Sequence, residues 1–253
     1  MNYKIVALVE GDTDEAIIKT ICKKYNDEFE VFIVRGDLFT ENTYSNDSIK
    51  SLIGNKVKNE VMKKYKLKKE DIVAVIQISD IDGVFIGNSK VEVSDEVERI
   101  LYTSDGIKVC SEKKKKEIEN RNKAKCINLC TMISSKILED LEYKLFYFSC
   151  NLEHVLFDNM NMEQDEKDER VYDYIEDYNE EELLEVLEEI ASTKNNGNFD
   201  EDYKESWVKI QSDTKIHKDT NVNLIIEYIE KLAIENKRAE KGRKNVKKGN
   251  TQK

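Results

Sequence analysis

The chain has 253 residues, enough for one sizeable α/β domain with a helical appendage or for two small domains. Hydrophobic residues make up 39% and charged residues 37% of it, and the apolar positions fall in periodic blocks, which argues against a wholly disordered chain. The net charge is −11; eight Lys or Arg against one Glu between Lys237 and Lys253 leave the rest of the chain near −18, a charge that repels a polyanion unless divalent cations or local basic patches intervene.

Tyr3 to Val9 is a β-branched run that reads as a buried strand, and Asp12 to Tyr25 follows with Ala16, Ile17, Ile18, Ile21 and Cys22 at helical spacing. Phe29 to Val34 predicts a second strand and Asp47 to Tyr65 an amphipathic helix. Asp71 to Ser79 is a third strand, nearly continuous in Ile and Val, as expected where helices cover both faces of a parallel sheet. This alternation predicts a doubly wound α/β sheet. Beyond Asp82 the pattern is weaker: a loop and a short helix near Asp95 to Tyr102, a long helix from Glu112 to Leu141, a fourth strand from Tyr143 to Ser149, and a helix beginning at Asn151. Glu163 to Tyr178 is acidic with interspersed Tyr and Val. Glu180 to Ala191, Tyr203 to Gln211 and Val222 to Ile234 read as helices, and the segment from Lys237 onward as a disordered basic tail. The expected organisation is thus an α/β domain over 1–158, an acidic helical region over 159–236 and a tail over 237–253.

No apolar run approaches the roughly 20 residues of a membrane span, and the apolar stretch at the start is too short for a signal peptide, so a cytoplasmic protein is expected. Five cysteines form no CxxC pair and there are only two histidines, so neither a disulfide framework nor a zinc site is suggested.

Chemistry concentrates at two strand ends. Val6-Ala7-Leu8-Val9-Glu10-Gly11 places an acid at the carboxyl end of the first strand, and Ile78-Ser79-Asp80-Ile81-Asp82-Gly83 does the same at the end of the third. Ligands bind at that edge in open α/β sheets. If the third strand continues through Asp82, the i, i+2 spacing aims Asp80 and Asp82 to one side. Carboxylates that converge so closely raise one another's pKa, and a hard divalent cation, Mg²⁺ or Mn²⁺, is the natural relief.

These two segments resemble the Toprim domain of topoisomerases, primases, recombination proteins and OLD-family nucleases, in which one strand ends in Glu-Gly and another, two strands later, in Asp-x-Asp. Val9-Glu10-Gly11-Asp12-Thr13-Asp14 is similar to the Val-Glu-Gly-x-Thr-Asp form of many members, and the likeness covers roughly the first 90 residues. The resemblance implies a Rossmann-like core, Glu10 as ligand or general acid/base, and Asp80 and Asp82 as Mg²⁺ or Mn²⁺ ligands. Ser149-Cys150-Asn151-Leu152-Glu153 is similar to the segment that follows the Asp-x-Asp strand in stand-alone Toprim nucleases of bacterial defence, the RloB-like group and the Toprim partner of the PARIS system, and implies Glu153 as a further ligand. It implies in turn a nuclease acting on DNA or RNA, tRNA included, as the effector of an anti-phage, abortive-infection system. No GxxxxGK[ST] loop occurs, so the ABC-type ATPase that OLD-family proteins carry would be a separate chain, and a homo-oligomer is a further expectation.

Simpler readings stand beside these. Asp12 and Asp14 read as N-cap and first-turn acids stabilised by the helix dipole, His154 as a packed helical residue, and Trp207 as a core anchor. Lys113-Lys114-Lys115-Lys116 with Arg121, Lys123 and Lys125 is either a solvated helix face or a docking surface for a polyanion. Asp80-Ile81-Asp82-Gly83-Val84 also resembles the opening motif of haloacid-dehalogenase-type phosphatases, although there that motif belongs to the first strand. A catalytically idle scaffold that binds a partner is the remaining alternative.

Overall fold

The computed structural model describes residues 3–41, 47–178, 180–194 and 196–249. Its centre is a four-stranded, all-parallel sheet of β1 (Tyr3–Val9), β2 (Phe29–Arg35), β3 (Ile72–Asp80) and β7 (Tyr143–Phe148), in the order β2-β1-β3-β7 and flanked by helices. This is the α/β class expected. In register, Val6 lies beside Phe32 and Val75, and Gln77 beside Leu145, so β1 and β3 are interior strands and are apolar along nearly their whole length. All four strands end at one rim.

Helices form where apolar residues recur at three and four. In α1 (Asp12–Cys22) Ile17, Ile18 and Ile21 are buried, and the Asp14 carboxylate accepts the N–H of Gly11, closing the turn out of β1. A short α2 (Leu38–Glu41) follows β2. The helix expected from Asp47 to Tyr65 is one continuous rod, α3 (Ile49–Val57) running through a π turn at Lys58–Met62 into α4 (Lys63–Tyr65), and it stops where Lys66 turns left-handed at φ 56°.

Between β3 and the long α5 (Glu112–Met132) the chain departs from expectation. No helix lies near residues 95–102; a second, three-stranded sheet forms instead from β4 (Val91–Val93), β5 (Leu101–Thr103) and β6 (Gly106–Val109), in the order β4-β6-β5. It has its own small core of Ile86, Val91, Ile107, Val109, Ile118, Cys150 and Ile216. Gly106 is required there, because a Cβ would stand 2.3 Å from the Lys90 carbonyl oxygen. α5 ends at Met132, short of the predicted Leu141, and the chain then turns through left-handed Leu138 and Glu139 before β7.

After α6 (Leu152–Phe157), the acidic stretch is a helix, α7 (Gln164–Asp177), packed on α1 through buried Val171. α8 (Glu180–Glu189), α9 (Phe199–Ser212) and α10 (Leu224–Gly249) complete the chain. Leu183, Leu187, Phe199, Trp207 and Ile225 belong to the same hydrophobic core as the sheet. The segment 237–249, expected as a disordered tail, continues α10; its Lys, Arg and Glu are good helix formers that propagate a helix already nucleated by Leu224 to Ala233.

β7 is an edge strand whose outer groups are closed by side chains. Tyr203 Oη accepts the Leu145 N–H at 3.2 Å and donates to its carbonyl at 2.9 Å; Trp207 Nε1 donates to the same carbonyl; Asn221 Oδ1 accepts the Tyr147 N–H and Thr220 Oγ1 donates to the Tyr147 carbonyl. Trp207 is thus the core anchor expected. Tyr203→Phe should cost about 1–3 kcal/mol, since it strands a buried amide, and should be read as a lower urea midpoint with unchanged slope.

Candidate functional site

The carboxyl rim gathers Glu10 from the end of β1, Asp14 from α1, Asp80 from the end of β3 and Glu153 from α6. Together with Lys167 of α7 they line a cleft of about 290 Å³. Glu10 keeps 16% of its side chain open to solvent, and its Oε1 accepts from Ser79 Oγ at 2.6 Å and from the Asp80 N–H at 3.1 Å. Asp80 Oδ1 is buried without a hydrogen-bond partner. Glu153 is 1% exposed, with Lys167 Nζ 3.1 Å from its Oε2, an ion pair lacking hydrogen-bond geometry. At the mouth, Asp12 pairs with Arg35.

Asp82 faces elsewhere. β3 ends at Asp80, and Asp82 is left-handed at φ 54°, so the alternation that would have aimed the two aspartates to one side does not reach it. Its Oδ2 accepts from Lys125 Nζ at 2.7 Å and its Oδ1 from Tyr102 Oη at 3.4 Å, while Arg121 donates to Tyr102 Oη at 2.9 Å and to the Asp82 carbonyl at 3.3 Å. Lys125 is fully buried and also lies 3.9 Å from Glu10 Oε1. Lys113, Lys116 and Lys123 of α5 are exposed, as both the solvated-face and the docking-surface readings require, whereas buried Lys125 fits neither.

Titration behaviour follows this division. Burial, with the neighbouring Asp37 and Asp82, pushes Glu10 up to about 8 against the opposing pull of Lys125. Burial raises Asp14 to about 6, with Glu153 adding to it, and lifts Asp80 well above the carboxylate range, with Glu10, Asp14 and Asp82 adding to the effect. For Asp82 burial again pushes upward, but Lys125 and Arg121 outweigh it and hold the carboxylate below its ordinary range.

A stability profile follows. An unfolded Glu10 releases its proton near 4.5 and a folded one near 8, so the folded state holds the extra proton between these limits. Its contribution therefore weakens as pH rises from about 4.5 to about 8. The urea midpoint of the protein in EDTA should fall over that window, and Glu10→Gln should flatten the fall. An equal slope in the variant would refute the assignment.

The potential donors lining the cleft are mostly carboxylate oxygens, with no His or Cys among them, which suits a hard divalent cation better than a soft one. Among the described residues no three His, Cys, Asp or Glu side chains stand ready to hold a metal ion. The acids surround the cleft without converging on one point, and Lys125 and Lys167 each hold one of them. Asp80 Oδ1 is buried among them, and no hydrogen bond satisfies it.

Of the residues expected from sequence, Glu10, Asp80 and Glu153 share the cleft, and Asp82 joins them only through the Lys125–Glu10 contact. His154 is 2% exposed and does not line the cleft; burial lowers its pKa, as befits a packed residue. Asp14 is more than a first-turn acid, being a buried cleft wall. Lys125, Arg121, Tyr102 and Lys167 carried no distinguishing signal beyond lying on helices or strands that pass the rim. Among the described residues no helix is long and apolar enough to cross a membrane. Comparison with known proteins finds no family model that matches the chain, and no matching curated protein or solved structure.

Proposed function

We propose that the protein is a Toprim-type, divalent-metal-dependent phosphodiesterase that cleaves nucleic acid. The observation that carries this reading is the gathering of Glu10, Asp14, Asp80 and Glu153 around one cleft at the carboxyl rim of a parallel sheet, with a buried Asp80 oxygen left unpaired. Mg²⁺ or Mn²⁺ would be held by Asp80 with Glu10, Asp14 and Glu153 as the available partners, and when bound it supplies Lewis-acid charge for a phosphate.

The chain's own groups do the rest. In the metal-free protein Glu10 is pushed up to about 8; left out of the ligand set, it exchanges a proton near neutral pH, as a general acid or base requires. Ser79 and the Asp80 N–H orient its carboxylate. Lys167 compensates Glu153, and Lys125 with Arg121 fixes Asp82. An Asp82 held ionised in an ion pair suits the second-acid role of a haloacid-dehalogenase-type site poorly, because that role needs a carboxyl that gains a proton.

Incubating the purified chain with labelled plasmid, single strands and total tRNA should give cleavage of at least one substrate with Mg²⁺ or Mn²⁺ and none with EDTA. Metal-independent cleavage, or hydrolysis confined to small phosphomonoesters, would overturn the reading. Service as the effector of an anti-phage system under a partner ATPase is supported by the likeness of these segments to stand-alone defence nucleases. Toxicity on co-expression with genomic neighbours, absent with Asp80→Asn, is its test.

A further inference from the structure

The acidic rim is divided at Glu10. On one side Asp82 is satisfied from within: Lys125 Nζ lies 2.7 Å from Oδ2, Tyr102 Oη lies 3.4 Å from Oδ1, and Asp82 does not line the cleft. On the other side Asp80 Oδ1 has no hydrogen-bond partner, and Glu153, although 1% exposed, is met by an ion pair without a hydrogen bond.

Lys125 bridges the division, since its ammonium also stands 3.9 Å from Glu10 Oε1. It is 0% exposed, so it cannot serve as a surface contact for substrate. A lysine head group is a compact single charge on a flexible stem, able to sit between two carboxylates much as a small ion would. It rises from the middle of α5, a helix anchored at one end on the small sheet through Ile118 and at the other on the main core through Leu129 and Met132, so its position is fixed by packing.

We propose that Lys125 is a built-in cation that occupies one of two cation positions on this rim, so that the protein binds a single divalent ion, on the Asp80 side. Asp82 is then the anchor of Lys125 and not a metal ligand, and Lys125 is a positioning residue that touches no substrate. The inference rests on reading the rim as a divalent-cation site. It deepens that reading by setting its stoichiometry and by moving Asp82 out of the ligand set.

Equilibrium titration of the full chain with Mn²⁺, free ion being followed by electron paramagnetic resonance, tests both levels. The wild type should bind one Mn²⁺ per chain, and Asp80→Asn should lose it. Lys125→Met should gain a second, weaker ion beside the freed Asp82. Should that single variant not fold, the paired variant Asp82→Asn/Lys125→Met, which removes both partners of the ion pair, decides the matter: it should keep the one ion with affinity within about 3-fold of wild type, whereas loss of a ligand or its support costs about 10- to 100-fold. Two ions on the wild type, one ion on a folded Lys125→Met, or a weakening of 10-fold or more in the paired variant would overturn the role of Lys125 while leaving the metal site standing. No Mn²⁺ on any form would instead remove the metal site itself.

Discussion

Asp80→Asn should lower metal-dependent cleavage by at least about 100-fold, the upper end of what loss of a ligand's support costs, and should raise the thermal midpoint of the metal-free protein. The two effects have one cause. Asp80 sits among Glu10, Asp14, Asp82 and Glu153 with an oxygen that nothing satisfies, so the empty fold must put a proton on a carboxyl that is ionised when unfolded, a cost that Asn does not carry and that a bound cation would remove. At this chain length each kcal/mol moves the midpoint by about 2–4 °C, within reach of a fluorescence melt in EDTA. Added Mg²⁺ should then stabilise the wild type and leave the variant unmoved. A variant that cleaves normally, or that melts earlier without metal, would show that Asp80 is an ordinary structural acid.

The largest stability effect is expected at Lys125. Lys125→Met leaves Asp82 and Glu10 without their buried counter-charge, and breaking a buried pair by removing one partner costs about 3–5 kcal/mol, or roughly 6–20 °C in the midpoint. Asp82→Asn in the same chain should restore most of the loss, since a neutral pair needs no compensation. Lys113→Met, on the exposed face of the same helix, should change stability by no more than about 0.5 kcal/mol. Equal effects at positions 113 and 125 would contradict the burial that separates them.

The sheet was legible because its interior strands β1 and β3 are buried on both faces and so nearly continuous in apolar residues, while the edge strands β2 and β7 are still rich in aromatic and β-branched residues; β1, β2, β3 and β7 each fall within a residue or two of the runs that predict them. Glu10, Asp80 and Glu153 were legible for a related reason, as acids directly following such runs. The small sheet was not, since β4 and β5 are three residues each and half exposed. The Asp105-Gly106 pair between Leu101–Thr103 and Ile107–Val109 is nonetheless a hairpin signal that could have found it. Val171, Tyr174 and Ile175 likewise carry the helical spacing of α7 beneath its acidic surface. Lys125 was not legible at all. In a run of lysines and arginines on one helix, nothing local distinguishes the residue that turns inward, because what draws it in is a pair of acids, Glu10 and Asp82, just past the ends of β1 and β3 and more than 40 residues away.

The side-chain closure of β7 bears on how the molecule fails as well as on how it holds. Tyr143-Lys144-Leu145-Phe146-Tyr147-Phe148 is aromatic-rich, free of proline and carries a single charge, the composition of a segment that stacks readily with copies of itself. In the folded protein Tyr203, Trp207, Thr220 and Asn221 occupy the backbone groups through which such stacking would begin. The packing of α9 is therefore also a guard. Were it to lift before the rest of the fold, the groups held by Tyr203 and Trp207 would be bared, and self-association at that strand would compete with refolding.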